Sequence, residues 1–142
     1  MLIKSVILLI ISIYAKVSNN VLIMSIDFTE SEIKTIQSAV DYRWRKEKIG
    51  VNLADIEITK EGEDEPTLFP VAVWEDKNST FIILKMGAFC YKSFFYYLTD
   101  QRFDTGIPEY NDLYECADKL LKVQADFMLS KHAKGLNLGS QK

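Results

Sequence analysis

The chain has 142 residues, the length of one domain rather than two. At 48% hydrophobic and 26% charged it is too apolar to be disordered, and it can bury a core without staples. A formal net charge of −3 argues against a general nucleic-acid binder, whose affinity rests on neutralising phosphates with Lys and Arg.

Residues 1–23 stand apart, with many Ile, Leu and Val and no Asp or Glu. Three readings compete for them. Lys4, the apolar run from Val6 to Tyr14 and the small Ala15 resemble a signal peptide. The same run resembles a membrane anchor, although Lys16, Asn19 and Asn20 interrupt it before about 20 apolar residues accumulate. In the third reading translation starts at Met24, because "SIDFTESEI" reads as the opening of a domain. A start at Met24 implies a cytoplasmic protein, a cleaved leader a secreted or periplasmic one, and a retained anchor a membrane contact. The domain proper is expected over 24–135, with 136–142 as a flexible tail.

Thr29, with Glu32 three residues on, matches a capping box. Ile33, Ile36, Val40 and Trp44 follow as one apolar helical stripe. Arg43, Arg45, Lys46 and Lys48 suit the helix C-terminus, and Gly50 suits its stop. An aromatic-anchored basic patch for an acidic partner is the alternative reading of "DYRWRKEK", with Trp44 in the core stripe as the simpler one.

"VNLADIEIT" is predicted as a strand. Val51 and Leu53 share one parity and Ile56 and Ile58 the other, which predicts a bulge near Ala54–Asp55. "KEGEDEP" reads as a solvated acidic loop. "TLFPVAVWE" is the second strand, and Pro70 suggests an edge strand or an irregular entry. "TFIILKM" and "FCYKSFFYYL" are the third and fourth strands, joined by a two-residue turn at Gly87–Ala88 that sets Met86 opposite Phe89. "TDQRFDTGIP" reads as a loop. Pro108 is expected to open the last helix, whose stripe runs Leu113, Cys116, Ala117, Leu120, Leu121, Gln124, Phe127 and Met128, with Gly135 as its stop. The order αββββα predicts an α+β two-layer sandwich, a four-stranded antiparallel meander with both helices packed on one face.

No catalytic or cofactor motif emerges. Two cysteines, Cys90 and Cys116, are too few for a disulfide framework and are expected as reduced core residues. One histidine, His132, near the end of the last helix, makes a poor base for either thiol. The glycines form no phosphate-cradling loop, and "DQRFDTGIPEYND" lacks the order of calcium ligands. Neither a metal nor a cofactor is expected.

The Gly87–Ala88 register sends Ile82, Leu84, Met86, Phe89, Tyr91, Phe95 and Tyr97 under the helices. It leaves Phe81, Ile83, Lys85, Lys92, Phe94 and Tyr96, with Cys90, on the other face. That aromatic and lysine face needs a cover. A second copy of the chain or another protein would cover it from outside; Leu68, Phe69 and Phe103 would cover it from within. The expectation is a non-enzymatic interaction module (a regulator, adaptor or inhibitor, as a homodimer or with another protein) contacting its partner through those six residues. The rivals are a small-molecule-binding protein with an apolar cavity and a small enzyme with a cleft at the 99–110 loop, where Asp100, Asp104 or Tyr110 would act.

Overall fold

The computed structural model describes residues 27–59, 62 and 64–140, with side chains to residue 133. The readings of residues 1–23 therefore concern a segment outside the described residues, as do Lys60, Glu61 and Glu63 of the acidic loop.

Helix α1 spans Glu30–Arg43. The capping box forms as expected: the Glu32 N–H donates to Thr29 Oγ1 (3.1 Å) and the Thr29 N–H donates to Glu32 Oε1 (2.7 Å). Ile36 and Val40 are buried, and Ile33 and Trp44 pack beside them. The helix ends well before Gly50. Arg45 and Lys46 fall in a turn after it, so only Arg43 occupies the last helical turn.

Five strands follow: β1 (Asn52–Ile58), β2 (Thr67–Asp76), β3 (Ser79–Gly87), β4 (Cys90–Tyr97) and β5 (Gln101–Asp104). They form one antiparallel sheet in sequence order, the expected meander with one strand more. The added strand is β5, which lies in the stretch read as a loop. Helix α2 spans Leu113–Ser140. Its start is set by Asp112 rather than Pro108: Asp112 Oδ1 accepts from the main chains of Tyr114 (2.9 Å) and Glu115 (3.4 Å). The helix runs through Gly135 into the stretch expected as a tail.

Both helices lie on one face of the sheet, in an α+β sandwich. The core between them and the sheet joins Ile36 and Val40 of α1 and Cys116, Ala117 and Leu120 of α2 to Ala72, Trp74, Phe81, Ile83 and Phe95 of the strands. Trp74 stacks on Phe81 (5.2 Å, 4°), and Trp44 meets Phe81 edge-on (5.5 Å). Phe103 of β5 stacks on Phe95 (5.2 Å) and touches Phe127 of α2 (4.5 Å). A polar clamp ties the layers together. Arg43 donates to the Leu121 carbonyl (2.9 Å) and to Gln124 Oε1 (2.8 Å), and Gln124 Nε2 donates to Ser79 Oγ at the start of β3 (3.0 Å).

Three expectations about the strands are corrected. First, β1 has no bulge. Its register with β2 is unbroken from Asn52 opposite Val73 to Ile58 opposite Thr67. The parity conflict resolves because only one set packs within the strand: Ala54, Ile56 and Ile58 join an apolar layer on the far face, Leu53 is 46% exposed, and Val51, just before β1, packs toward the helices. Second, of the two readings of Pro70 the edge strand fails, because β2 is interior to the sheet. Pro70 pairs with Asp55 of β1, and the β2–β3 ladder begins one residue later, at Val71 opposite Leu84. The missing N–H thus falls outside that ladder.

Third, the β3–β4 turn comes one residue later than expected. Ala88 and Phe89 form it, Gly87 pairs with Cys90, and Lys85 pairs with Tyr91, which leaves Met86 as an extra residue on β3. This bulge slides the whole pairing by one place, so Phe81 faces Phe95 and Ile82 faces Phe94. The left-handed backbone falls on Phe89 (φ 58°), whose ring is 75% exposed, and not on a glycine.

Candidate functional site

The far face of the sheet carries a second apolar layer with no described helix on it. Phe69, Val71 and Val73 of β2, Ile82 and Leu84 of β3 and Phe94 of β4 form its centre; Ala54, Ile56 and Ile58 of β1, with Met86 and Tyr96, form its rim. Alternation within each strand places these side chains together, and the register aligns them in rows: Ala54–Val71–Leu84 and Val73–Ile82–Phe94. Phe94 meets Tyr96 edge-on (5.9 Å, 83°), and the Arg102 guanidinium of β5 lies 4.2 Å from the Phe94 ring centre. Lys92, opposite Leu84, is half-buried on the same parity as Phe94. The surface is a broad apolar slab with cations along its β4–β5 side.

Of the six residues expected on this face, three are here and three are not. Lys92, Phe94 and Tyr96 lie on it. Phe81, Ile83 and Lys85 lie on the helix-covered side, because the bulge at Met86 inverts β3 relative to β4. Most of the face lies outside that expectation, which sets Ile82, Leu84 and Met86 beneath the helices and assigns β1 and β2 to neither side. The parity of Phe69, Val71 and Val73 in "TLFPVAVWE" was a usable signal; the place of the bulge had none. Internal cover by Phe103 does not occur, since its ring stacks on the helix side.

The inversion gives Lys85 a different role. It is only 5% exposed, and its ammonium donates to Glu32 Oε1 (2.7 Å) and to the Asp27 carbonyl (2.7 Å). The Tyr91 hydroxyl donates to the other oxygen of Glu32. One carboxylate therefore closes the capping box, pairs with a buried lysine and holds a buried phenol. Burial by itself would raise the Glu32 carboxyl, but the hydrogen bonds from Lys85, the Thr29 main chain and Tyr91 outweigh it and hold the group below its ordinary value. Burial and the adjoining Glu32 push the Tyr91 phenol upward. The phenol stays protonated as a donor, which is a bracing role rather than that of a base.

The thiols are poorly placed for chemistry. Both cysteines are free. Burial raises the Cys116 thiol to about 12, and burial with the nearby Glu109 raises that of Cys90. Neither is a thiolate near neutral pH, and His132 is exposed on α2.

The 99–110 region does not gather its candidate residues. Asp100 and Asp104 are exposed, and Asp104 accepts from the Gly106 main chain (2.9 Å) in a local turn. Tyr110 is buried, bridged to Tyr91 through both main chains (2.8 Å each), with its hydroxyl donating to Thr105 Oγ1 (2.6 Å). An open groove of about 760 Å³ lies elsewhere, lined by Ser31, Lys34 and Ser38 of α1 and Tyr114 of α2. Among the described residues no three His, Cys, Asp or Glu side chains cluster to hold a metal ion, and no helix is long and apolar enough to cross a membrane. In comparisons with known proteins, the chain matches no family model, no curated protein and no solved structure.

Proposed function

We propose that this chain is a non-enzymatic interaction module, a regulator, adaptor or inhibitor, whose contact surface is the far face of the sheet. The observation that carries this reading is the second apolar layer, from Ile56 across Val71 and Leu84 to Phe94, on the side away from both helices. An apolar area of this breadth favours contact with another polypeptide over exposure to water. The aromatic side chains and Arg102 at the β4–β5 end are of the types that anchor protein interfaces. The partner is another protein or a second copy of this chain; a flat antiparallel face suits the self-complementary contact of a two-fold dimer.

Phe94→Asp tests the reading, because it sets a charge in the middle of the contact layer. The expected result is loss of association in native mass spectrometry with the far-UV circular dichroism unchanged. Unfolding of the variant would instead make Phe94 an ordinary core residue and remove the proposal.

A further inference from the structure

We infer that the loop leaving helix α1, residues 44–48, together with Tyr42 is a docking surface for a short acidic segment of another protein. This surface belongs to the helix side of the molecule and stands independently of the far face of the sheet.

Three observations converge on it. The first is unpaired charge. The chain carries 20 acidic against 17 basic side chains, so carboxylates outnumber the cations they could pair with. Lys34, Lys85 and Lys122 each take one as a partner. Arg45, Lys46 and Lys48 are exposed, and among the described residues none of the three pairs with a carboxylate. Two acids at this end of the molecule are engaged elsewhere: Asp41 Oδ1 accepts from Gln37 Nε2 (2.9 Å), and Asp76 Oδ2 accepts from Trp44 Nε1 (3.1 Å). Within the loop, Glu47 alone opposes the three cations. Arg43 stands apart from them, since its guanidinium turns inward to Leu121 and Gln124.

The second is an aromatic anchor. Tyr42 is 72% exposed, and the Arg45 guanidinium lies 4.4 Å from its ring centre. The ring steadies a planar fork whose N–H donors match a carboxylate bidentately. Tyrosine and arginine are also the types that anchor protein contacts.

The third is a loop fixed at both ends. Trp44 is held by Asp76 at its start. At its far end Gln37 Nε2 donates to the Ile49 carbonyl (2.8 Å), and Gln37 Oε1 accepts from the Val51 N–H (3.0 Å). A surface ordered in advance spends little entropy on binding.

Charge complementarity selects an acidic occupant, and the charge of the whole chain selects a short one. A long polyanion meets the repulsion of a net −3 molecule. A few carboxylates meet only the loop, because charges beyond roughly 8 Å are screened at physiological salt.

The test measures binding of fluorescently labelled hexaglutamate to the full chain by anisotropy. Binding is expected, weakening as salt rises. Replacing Arg45, Lys46 and Lys48 together by Gln should weaken it about tenfold. Replacing the exposed Lys34, Lys119 and Lys122 by Gln changes net charge equally and should leave affinity within about twofold. Both variants change exposed side chains only, and circular dichroism checks that each is folded. Equal weakening in the two variants would overturn the inference in favour of diffuse attraction. Absence of binding at millimolar peptide would also overturn it. Tighter binding of an oligouridylate of the same charge would reassign the loop to nucleic acid and overturn the acidic polypeptide.

Discussion

Glu32 is the residue on which most of the polar structure at the start of the domain depends, since helix cap, buried lysine and buried phenol all meet its carboxylate. Its depressed pKa means that the folded state holds the ionised form more tightly than the unfolded chain does. The stabilisation is present above the ordinary carboxyl value of 4.5 and is lost as pH falls through the lower folded value. Glu32→Gln would leave Lys85 without its anion in a nearly dry site, at a cost of about 3 kcal/mol near neutral pH. Urea denaturation of both proteins between pH 3 and pH 7 should show that gap close on the acid side. A gap that does not change with pH would contradict the ion-pair account. Phe89 is the converse case, a large exposed side chain in left-handed backbone. That conformation costs a non-glycine residue about 1 kcal/mol, and asparagine tolerates it better. Phe89→Asn should therefore raise the thermal midpoint by about 4 °C. A lowered midpoint would mean that the ring packs against something that the strain offsets.

At the scale of elements, what the sequence revealed tracks the strength of its local signals. Helix α1 was legible from Thr29, Glu32 and the Ile33–Ile36–Val40–Trp44 stripe, because cap and periodicity agree. Strands β2, β3 and β4 were legible from their apolar runs. Strand β5 was not, because "QRFD" holds one apolar residue and no alternation to read. It is held by β4 and by Phe103, which lies in a ring cluster with Phe95 and Phe127. Phe103→Ala should cost about 3 kcal/mol, and amide hydrogen exchange at 101–104 should accelerate ahead of β3. Equal protection in both proteins would show that pairing with β4 alone secures the strand. The bulge at Met86 was the costliest miss. Moving the two-residue turn from Gly87–Ala88 to Ala88–Phe89 keeps the relative faces of the two strands, whereas the one extra residue at Met86 exchanges them. Lys92, Phe94 and Tyr96 of β4 lie on the far face and Phe81, Ile83 and Lys85 of β3 on the helix side, a split that follows from one error of register.

At the scale of the molecule, the sheet is apolar on both sides, and that feature separates this chain from an ordinary two-layer sandwich. One side carries α1 and α2 over Trp74, Phe81 and Phe95; the other carries Val71, Ile82, Leu84 and Phe94. The buried polar groups brace the fold, and the raised thiols of Cys90 and Cys116 give no nucleophile at neutral pH. Function on this reading is contact, and the pairing of β3 with β4 decides which side chains make it. Interstrand nuclear Overhauser effects measure that pairing most directly. The account predicts contacts of Ile82 with Phe94 and of Lys85 with Tyr91, with the Lys85 side chain close to Glu32. Contacts of Phe81 with Phe94 and of Lys85 with Cys90 would contradict it, and would return Phe81, Ile83 and Lys85 to the far face.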